Sequence, residues 1–201
     1  TSGSEYVFSQ RSNFADINND GHLDAFVCHD VDANVYYIND GSGNLAYGQG
    51  DLGVVRGNYG SVWIDYDNDR DIDMFIAKCG GGPINQLFTN NGDGTYTDTA
   101  PAQGLDDGMQ TWSSAWGDFD NDGHQDLAVT NTDDNTVSIR LGGGNGIFGV
   151  PVGPVLTVGE APSYIALGDF NGDGNQDLVV TNEGSHNITI LTGNGDGSFS
   201  P

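Results

Sequence analysis

The stretch "DYDNDRDID", residues 65–73, sets five aspartates at alternate positions, Asp65, Asp67, Asp69, Asp71 and Asp73, with Arg70 the one positive charge among them. Like charges held that close repel, so such an arrangement is costly without a counter-ion, and four solvated acidic turns with no metal are the alternative. Counted from Asp65, the loop offers side-chain oxygens at positions 1, 3, 5 and 9, and alternate residues of a tightly curled loop can turn inward together. The stretch recurs as "DINNDGHLD" from Asp16, "DFDNDGHQD" from Asp118 and "DFNGDGNQD" from Asp169, at spacings of 49, 53 and 51 residues. Four oxygen sets follow: Asp16, Asn18, Asp20 and Asp24; Asp65, Asp67, Asp69 and Asp73; Asp118, Asp120, Asp122 and Asp126; Asp169, Asn171, Asp173 and Asp177. Position 7 is His22, Asp71, His124 or Asn175. That variety suits a backbone carbonyl ligand whose side chain points to solvent.

Hard oxygen donors without thiol or imidazole suit Ca²⁺, which takes about six to eight of them. One Ca²⁺ per repeat, four in all, is the expectation. The EF-hand shares the opening of this loop but needs a bidentate acid at position 12, between two helices. Position 12 here is Val27, Ile76, Val129 or Val180, each a strand residue facing a core. The EF-hand is excluded.

A second landmark keeps the same beat: "NDGSGNL" from Asn39, "NNGDGTY" from Asn90, "GGGNGIF" from Gly142 and "GNGDGSF" from Gly193. Its glycines and asparagines supply the positive-φ positions of a tight hairpin. Around the two landmarks each repeat reads as four short strands. An alternating apolar segment such as "SYIALGDF" precedes the acidic loop and an aliphatic run such as "DLVVTN" follows it. A third segment such as "NITILTGNG" enters the hairpin, and a fourth such as "TYTDTA" or "GIFGVPV" leaves it. Four strands in about 50 residues, repeated, describe the blade of a β-propeller. The expected fold is all-β: one domain over residues 1–201 with four blades at about 4–52, 53–106, 107–157 and 158–201. Helices are minor at most.

Composition narrows the function classes. Against five Lys plus Arg stand 29 Asp plus Glu, a net charge of −24. Just three of the acids are glutamate, and a short-carboxylate bias of that kind belongs to turns and metal ligation. Nucleic acid and anionic membranes are excluded as direct partners. No apolar run reaches the ~18 residues of a spanning helix, and the start carries no signal peptide, so the chain reads as mature or excised. Cys28 and Cys79 permit one disulfide without demanding it.

"GDFDNDGHQDLAV" and "GDFNGDGNQDLVV", each with its downstream hairpin, resemble the FG-GAP/VCBS repeats of integrin-like β-propellers, and the resemblance extends over all four repeats. It implies one structural Ca²⁺ in the hairpin between the first two strands of each blade, at the residues named above. Two features depart from the pattern. Arg70 replaces the loop glycine in the second repeat, and the blade count is four where such propellers usually have six to eight. Residues 4–10 form an apolar-alternating segment that would complete the fourth blade, or pair with the edge of another copy. Entropy favours the intramolecular pairing.

An extracellular structural or adhesive scaffold for protein or glycan partners is therefore expected. The alternative is a self-assembling subunit of an extracellular fibre, made of further copies of the chain. Catalysis is not expected, although a non-catalytic domain of a secreted enzyme would fit the same features. Neither G-x-S-x-G nor H-E-x-x-H occurs, and the aspartates are accounted for as ligands. Surface positions are expected for His22, His29, His124 and His186. Trp63 and Trp116 are placed in the core, which leaves Trp112 as the freer aromatic. Asn187 opens "NIT", the one N-x-[ST] sequon, and is a candidate glycosylation site.

Overall fold

Each acidic loop closes a β-hairpin. The computed structural model of the chain describes residues 9–54, 56–79, 84–106, 108, 110–149 and 153–201. In every repeat the last aspartate of the loop pairs with the residue just before the loop's first aspartate: Ala15 with Asp24, Ile64 with Asp73, Gly117 with Asp126, Gly168 with Asp177. The common register follows from the common loop length, because a one-residue slip would turn each strand's apolar set to the wrong face.

The first sheet is built from β1 (Ser9–Ala15), β2 (Asp24–His29), β3 (Val35–Asn39) and β4 (Leu45–Gln49), and the second from β5 (Asn58–Ile64), β6 (Asp73–Lys78), β7 (Gln86–Asn90) and β8 (Tyr96–Asp98). The third holds β9 (Ser114–Gly117), β10 (Asp126–Asn131), β11 (Thr136–Arg140) and β12 (Leu156–Thr157). The fourth holds β13 (Pro162–Gly168), β14 (Asp177–Asn182), β15 (Asn187–Gly193) and β16 (Phe199–Ser200). In each sheet the four strands run in sequence order and all pairs are antiparallel, so each is a propeller-type blade. The second strand of each blade is the near-continuous apolar run, as a strand covered on both faces requires. Every residue of β6 and of β10 is buried. The single helix among the described residues, α1 (Ala100–Gln103), has Pro101 in its first turn and stops at Gly104, φ 63°.

The third blade differs from expectation in its outer strand. Among its described residues "GIFGVPV" provides one bridge, Gly142 with Phe148, and the strand that completes the sheet is β12, pairing Thr136 with Thr157 and Val137 with Leu156. Pro151 and Pro154 lie between the two pieces, and proline has no N–H to give to a ladder.

The chain forms two compact units. One runs through Ile64 and resumes over Asp71–Gly108; the other comprises Asp65–Arg70 and Met109–Pro201. The first is cored by Phe26, Cys28, Leu52, Met74, Ile76 and Phe88, with Trp63 and Tyr96 packed against them. Trp63 meets Phe26 edge-on at 5.3 Å. The second is cored by Ala128, Val137, Ile139, Ile165, Leu178, Val180 and Leu191. Its Trp116 is buried and sits edge-on to Tyr66 and Phe148. Each large apolar side chain fully buried in this way contributes roughly 1.5–3 kcal/mol.

Three sequence expectations meet the structure here. Ser9 and Gln10 open β1, whose partner is β2 of its own sheet, while residues 4–8 lie outside the described residues. Both thiols are free; Cys28 is buried, its Sγ 3.3 Å from Ser61 Oγ, and Cys79 is half-buried. His29 is not a surface residue. It is fully buried at the end of β2, where Nδ1 accepts the Val31 N–H at 3.2 Å. The residues one step past the apolar run, Lys78, Asn131 and Asn182, are buried in the same way, a position the short strand alone does not reveal.

Candidate metal centre

The acidic loops organise themselves before any cation is considered. The position-1 carboxylate takes the N–H groups of positions 5 and 6 on its two oxygens. Asp16 accepts from Asp20 (3.0 Å) and Gly21 (2.7 Å), and Asp118 from Asp122 and Gly123 (both 3.0 Å). Asp65 and Asp169 do the same with Asp69 and Arg70, and with Asp173 and Gly174. The position-9 aspartates Asp24, Asp73, Asp126 and Asp177 are fully buried. One oxygen of Asp24, Asp126 and Asp177 accepts the position-2 N–H, from Ile17, Phe119 and Phe170 at 2.6–2.8 Å. The other oxygen, in all four repeats, accepts the N–H of Asn39, Asn90, Gly142 or Gly193 at the end of the third strand, at 2.7–2.8 Å. Position 9 thus ties the first landmark of each repeat to the second.

Closing so tight a curl needs left-handed backbone at positions 4 and 6. Position 4 is Asn19, Asn68, Asn121 or Gly172, with φ between 58° and 78°. Position 6 is Gly21, Arg70, Gly123 or Gly174, with φ between 79° and 90°. Arg70 therefore adopts the glycine conformation, and its N–H still reaches Asp65 at 3.1 Å. Left-handed backbone costs a residue with a Cβ about 1–2 kcal/mol, and glycine gives back about 0.5–1 kcal/mol in chain entropy. Arg70→Gly is expected to raise stability in saturating calcium by about 0.5–1 kcal/mol, read from urea denaturation midpoints. A loss of stability would show that the arginine is needed for more than filling the turn.

Position 3 divides the loops into two kinds. In the first and fourth it is asparagine, and Asn18 and Asn171 each donate to the position-5 aspartate at 2.9 Å. Asp20 is held below its ordinary value first by that Asn18 bond, and Asp173 by the Asn175 N–H and then by Asn171. In the second and third loops position 3 is aspartate. There Asp65, Asp67 and Asp73, and likewise Asp118, Asp120 and Asp126, bring one carboxylate oxygen each within 4.8 Å of the others. Burial and then the neighbouring carboxylates push Asp67 and Asp120 up. Burial pushes Asp126 up to about 6, against the N–H groups of Gly142 and Phe119 that pull it down. Crowded, partly desolvated carboxylates with an all-oxygen donor set are what a divalent hard cation neutralises. The residues fit such an ion, and these two clusters could hold one.

Position 7 does more than its variable identity suggests. Asp71, His124 and Asn175 are half-buried, and each is met by the position-4 asparagine of the preceding repeat. Asn19 donates to Asp71 at 2.9 Å, Asn68 lies 3.0 Å from His124 Nδ1, and Asn121 is 3.4 Å from Asn175 Oδ1. The same side chains, with His22 in the first repeat, occupy the space a Cβ would need on Gly41, Gly92, Gly144 or Gly195 of the hairpin landmark. This repeat-to-repeat contact was missed in the sequence. Its one signal was the Asn, Asn, Asn, Gly series at position 4.

The remaining candidates are dispersed. His22 and His186 are exposed. Trp112 is half-buried, its indole N–H donating to Gln110 at 3.3 Å. Asn187 is exposed at the start of β15, its Oδ1 accepting from Asn182 and Ser185. Among the described residues no helix is long and apolar enough to cross a membrane.

The family model described as FG-GAP-like repeat matches residues 16–76, 65–129, 118–180 and 169–201. Solved structures of similar fold include the V. cholerae biofilm matrix protein Bap1, with a TM-score of 0.53 and 17% identity over 94% of this chain and 27% of that one. They also include BBS1N from its complex with ARL6DN, with a TM-score of 0.53 and 11% identity over 97% of this chain and 53% of that one. The chain thus spans about a quarter and about a half of these two proteins. A search of curated protein sequences gives no match.

Proposed function

The chain belongs to the FG-GAP-like repeat family, and we propose that it serves as an extracellular, calcium-stabilised scaffold that binds protein or glycan partners. The observation that carries this reading is the repeated loop. Four times, a buried position-9 aspartate pins a self-folded carboxylate loop to the third strand of its own blade. The side chains that would hold Ca²⁺ are Asp16, Asn18, Asp20 and Asp24 and their equivalents in the other repeats, joined by the position-7 carbonyls. A bound ion supplies the charge that lets those oxygens stay together. The chain's own residues do the rest, curling the loop through positions 4 and 6 and linking it to the next through position 7.

Millimolar extracellular calcium would fill sites of this type, and a biofilm matrix protein of the same fold agrees with that location. The aspartates are committed to loop architecture, which favours a binding role over a catalytic one. Labelled protein should adhere to immobilised matrix glycans or proteins in calcium and detach on chelation. Adhesion to none of them, or adhesion indifferent to chelation, would count against the scaffold.

One observation favours self-assembly as a second reading. Ile188 and Ile190 of β15 are 60% and 44% exposed. Apolar side chains exposed side by side on a strand offer a surface on which a further copy can pack. Filaments seen by negative-stain electron microscopy in calcium would favour this reading, and isolated particles would reject it.

A further inference from the structure

In the first unit a cleft of about 370 Å³ opens between the first and second sheets, within the size range of small-ligand sites. Ile17 and Leu52 form its apolar floor, each 5% exposed. Tyr36 and Tyr96 line its walls, while Asp51 and Thr95 contribute the polar groups.

Both tyrosines are held in place. Tyr36 stands opposite Gly48 in the β3–β4 pair, and a Cβ on Gly48 would run into the phenol ring. Glycine there lets the ring lie across the strand as a flat platform. The Tyr36 hydroxyl donates to Asp51 Oδ2 at 3.4 Å, which aims that exposed carboxylate. Tyr96 donates to the Ile17 carbonyl at 2.9 Å and accepts from Asn90 at 3.2 Å, so its ring is anchored at the far end. A site whose walls need no reordering loses little entropy on binding.

The chemistry of the lining selects the ligand. A flat aromatic face takes an apolar face, and a carboxylate beside it takes a pair of hydroxyl donors. Among the described residues no lysine, arginine or histidine lines the cleft, and the chain carries a net charge of −24, so the lining disfavours an anionic ligand. We propose that the cleft binds an uncharged pyranose residue of a glycan, stacked on Tyr36 and held through its hydroxyls by Asp51. This rests on reading the protein as a scaffold for external partners, and it names one of them. The floor residue Ile17 and its neighbour Asn18, which also lines the cleft, are positions 2 and 3 of the first acidic loop. Whatever orders that loop therefore also shapes the site, and sugar binding is coupled to calcium.

The test is saturation-transfer NMR on the whole chain in calcium, titrating methyl glucoside, galactoside and mannoside against methyl glucuronide. At least one neutral glycoside is expected to bind at least tenfold tighter than the glucuronide, and to weaken at least tenfold on chelation. Asp51→Ala, at an exposed position, should weaken that binding at least tenfold while leaving the circular dichroism spectrum unchanged. Tyr36→Ala should do the same but also loosens the core, so Asp51 is the deciding variant. The site is refuted if no neutral glycoside binds, if Asp51→Ala binds as well as the parent, or if acetyl-arginine amide occupies the cleft in preference. Such a result would leave calcium-dependent adhesion standing, whereas calcium-independent adhesion would fail the scaffold whatever the sugar result.

Discussion

Removing calcium is expected to lower the melting temperature by about 20–40 °C. A site whose dissociation constant lies ~100-fold below ambient calcium adds about 2.7 kcal/mol if the unfolded chain does not bind the ion. Four such sites add about 11 kcal/mol, comparable with the whole net stability of a domain. For a chain of this length each kcal/mol is worth about 2–4 °C. The four loops should not contribute equally. The second and third carry an extra carboxylate at position 3, Asp67 and Asp120, and burial with mutual repulsion already pushes both up. Asp67→Asn and Asp120→Asn should therefore lower calcium affinity toward that of the first and fourth loops, where asparagine is native. Calorimetry in ~1 mM calcium and in chelator measures the main effect directly. An unchanged melting temperature would overturn the calcium reading.

Asp177→Ala is expected to cost about 4 kcal/mol even in chelator, where no ligand is lost. Asp177 is fully buried, and its two oxygens accept the N–H groups of Phe170 and Gly193, both at 2.8 Å. Truncation would strand the buried Gly193 donor and the part-buried Phe170 donor, at about 1–3 kcal/mol each. Asp177→Asn is no remedy, since it offers one acceptor and turns an NH₂ toward the second donor. Asp173→Ala supplies the contrast. It is exposed, so in chelator its loss should change stability by roughly 0.5 kcal/mol or less, although in calcium it removes a ligand. Urea unfolding of both variants, with and without calcium, separates the two roles. Equal effects in chelator would mean that position 9 is no more than another ligand.

The acidic loops and hairpins were legible in the sequence because their chemistry is local. An Asp at position 1 reaches the N–H groups four and five residues on, and an Asn or Gly at position 4 tolerates positive φ, whichever repeat it stands in. Sequence reading erred at His29 and at the outer strand of the third blade. Neither outcome shows in the strand's own pattern: the His29 ring is fully buried at the end of its strand, and the strand edge is displaced past two prolines. In the sequence, a position 7 of varying identity reads as solvent-facing. It varies because glycine below it and asparagine beside it accept an aspartate, a histidine or an asparagine alike.

By itself the sequence determined the repeat, the first three strands of each blade and the loop oxygens that suit a hard cation. A period near 50 residues and alternating apolar segments are properties of the chain, readable before it folds. Only the tertiary structure decided that the position-9 aspartates are buried struts, that Asp67 and Asp120 crowd their neighbours, and that Tyr36 lies flat over Gly48 beside Asp51. Each of these depends on which distant residues arrive next to a side chain. Burial, charge crowding and a cleft are properties of neighbours, and neighbours exist only once the sheets have packed.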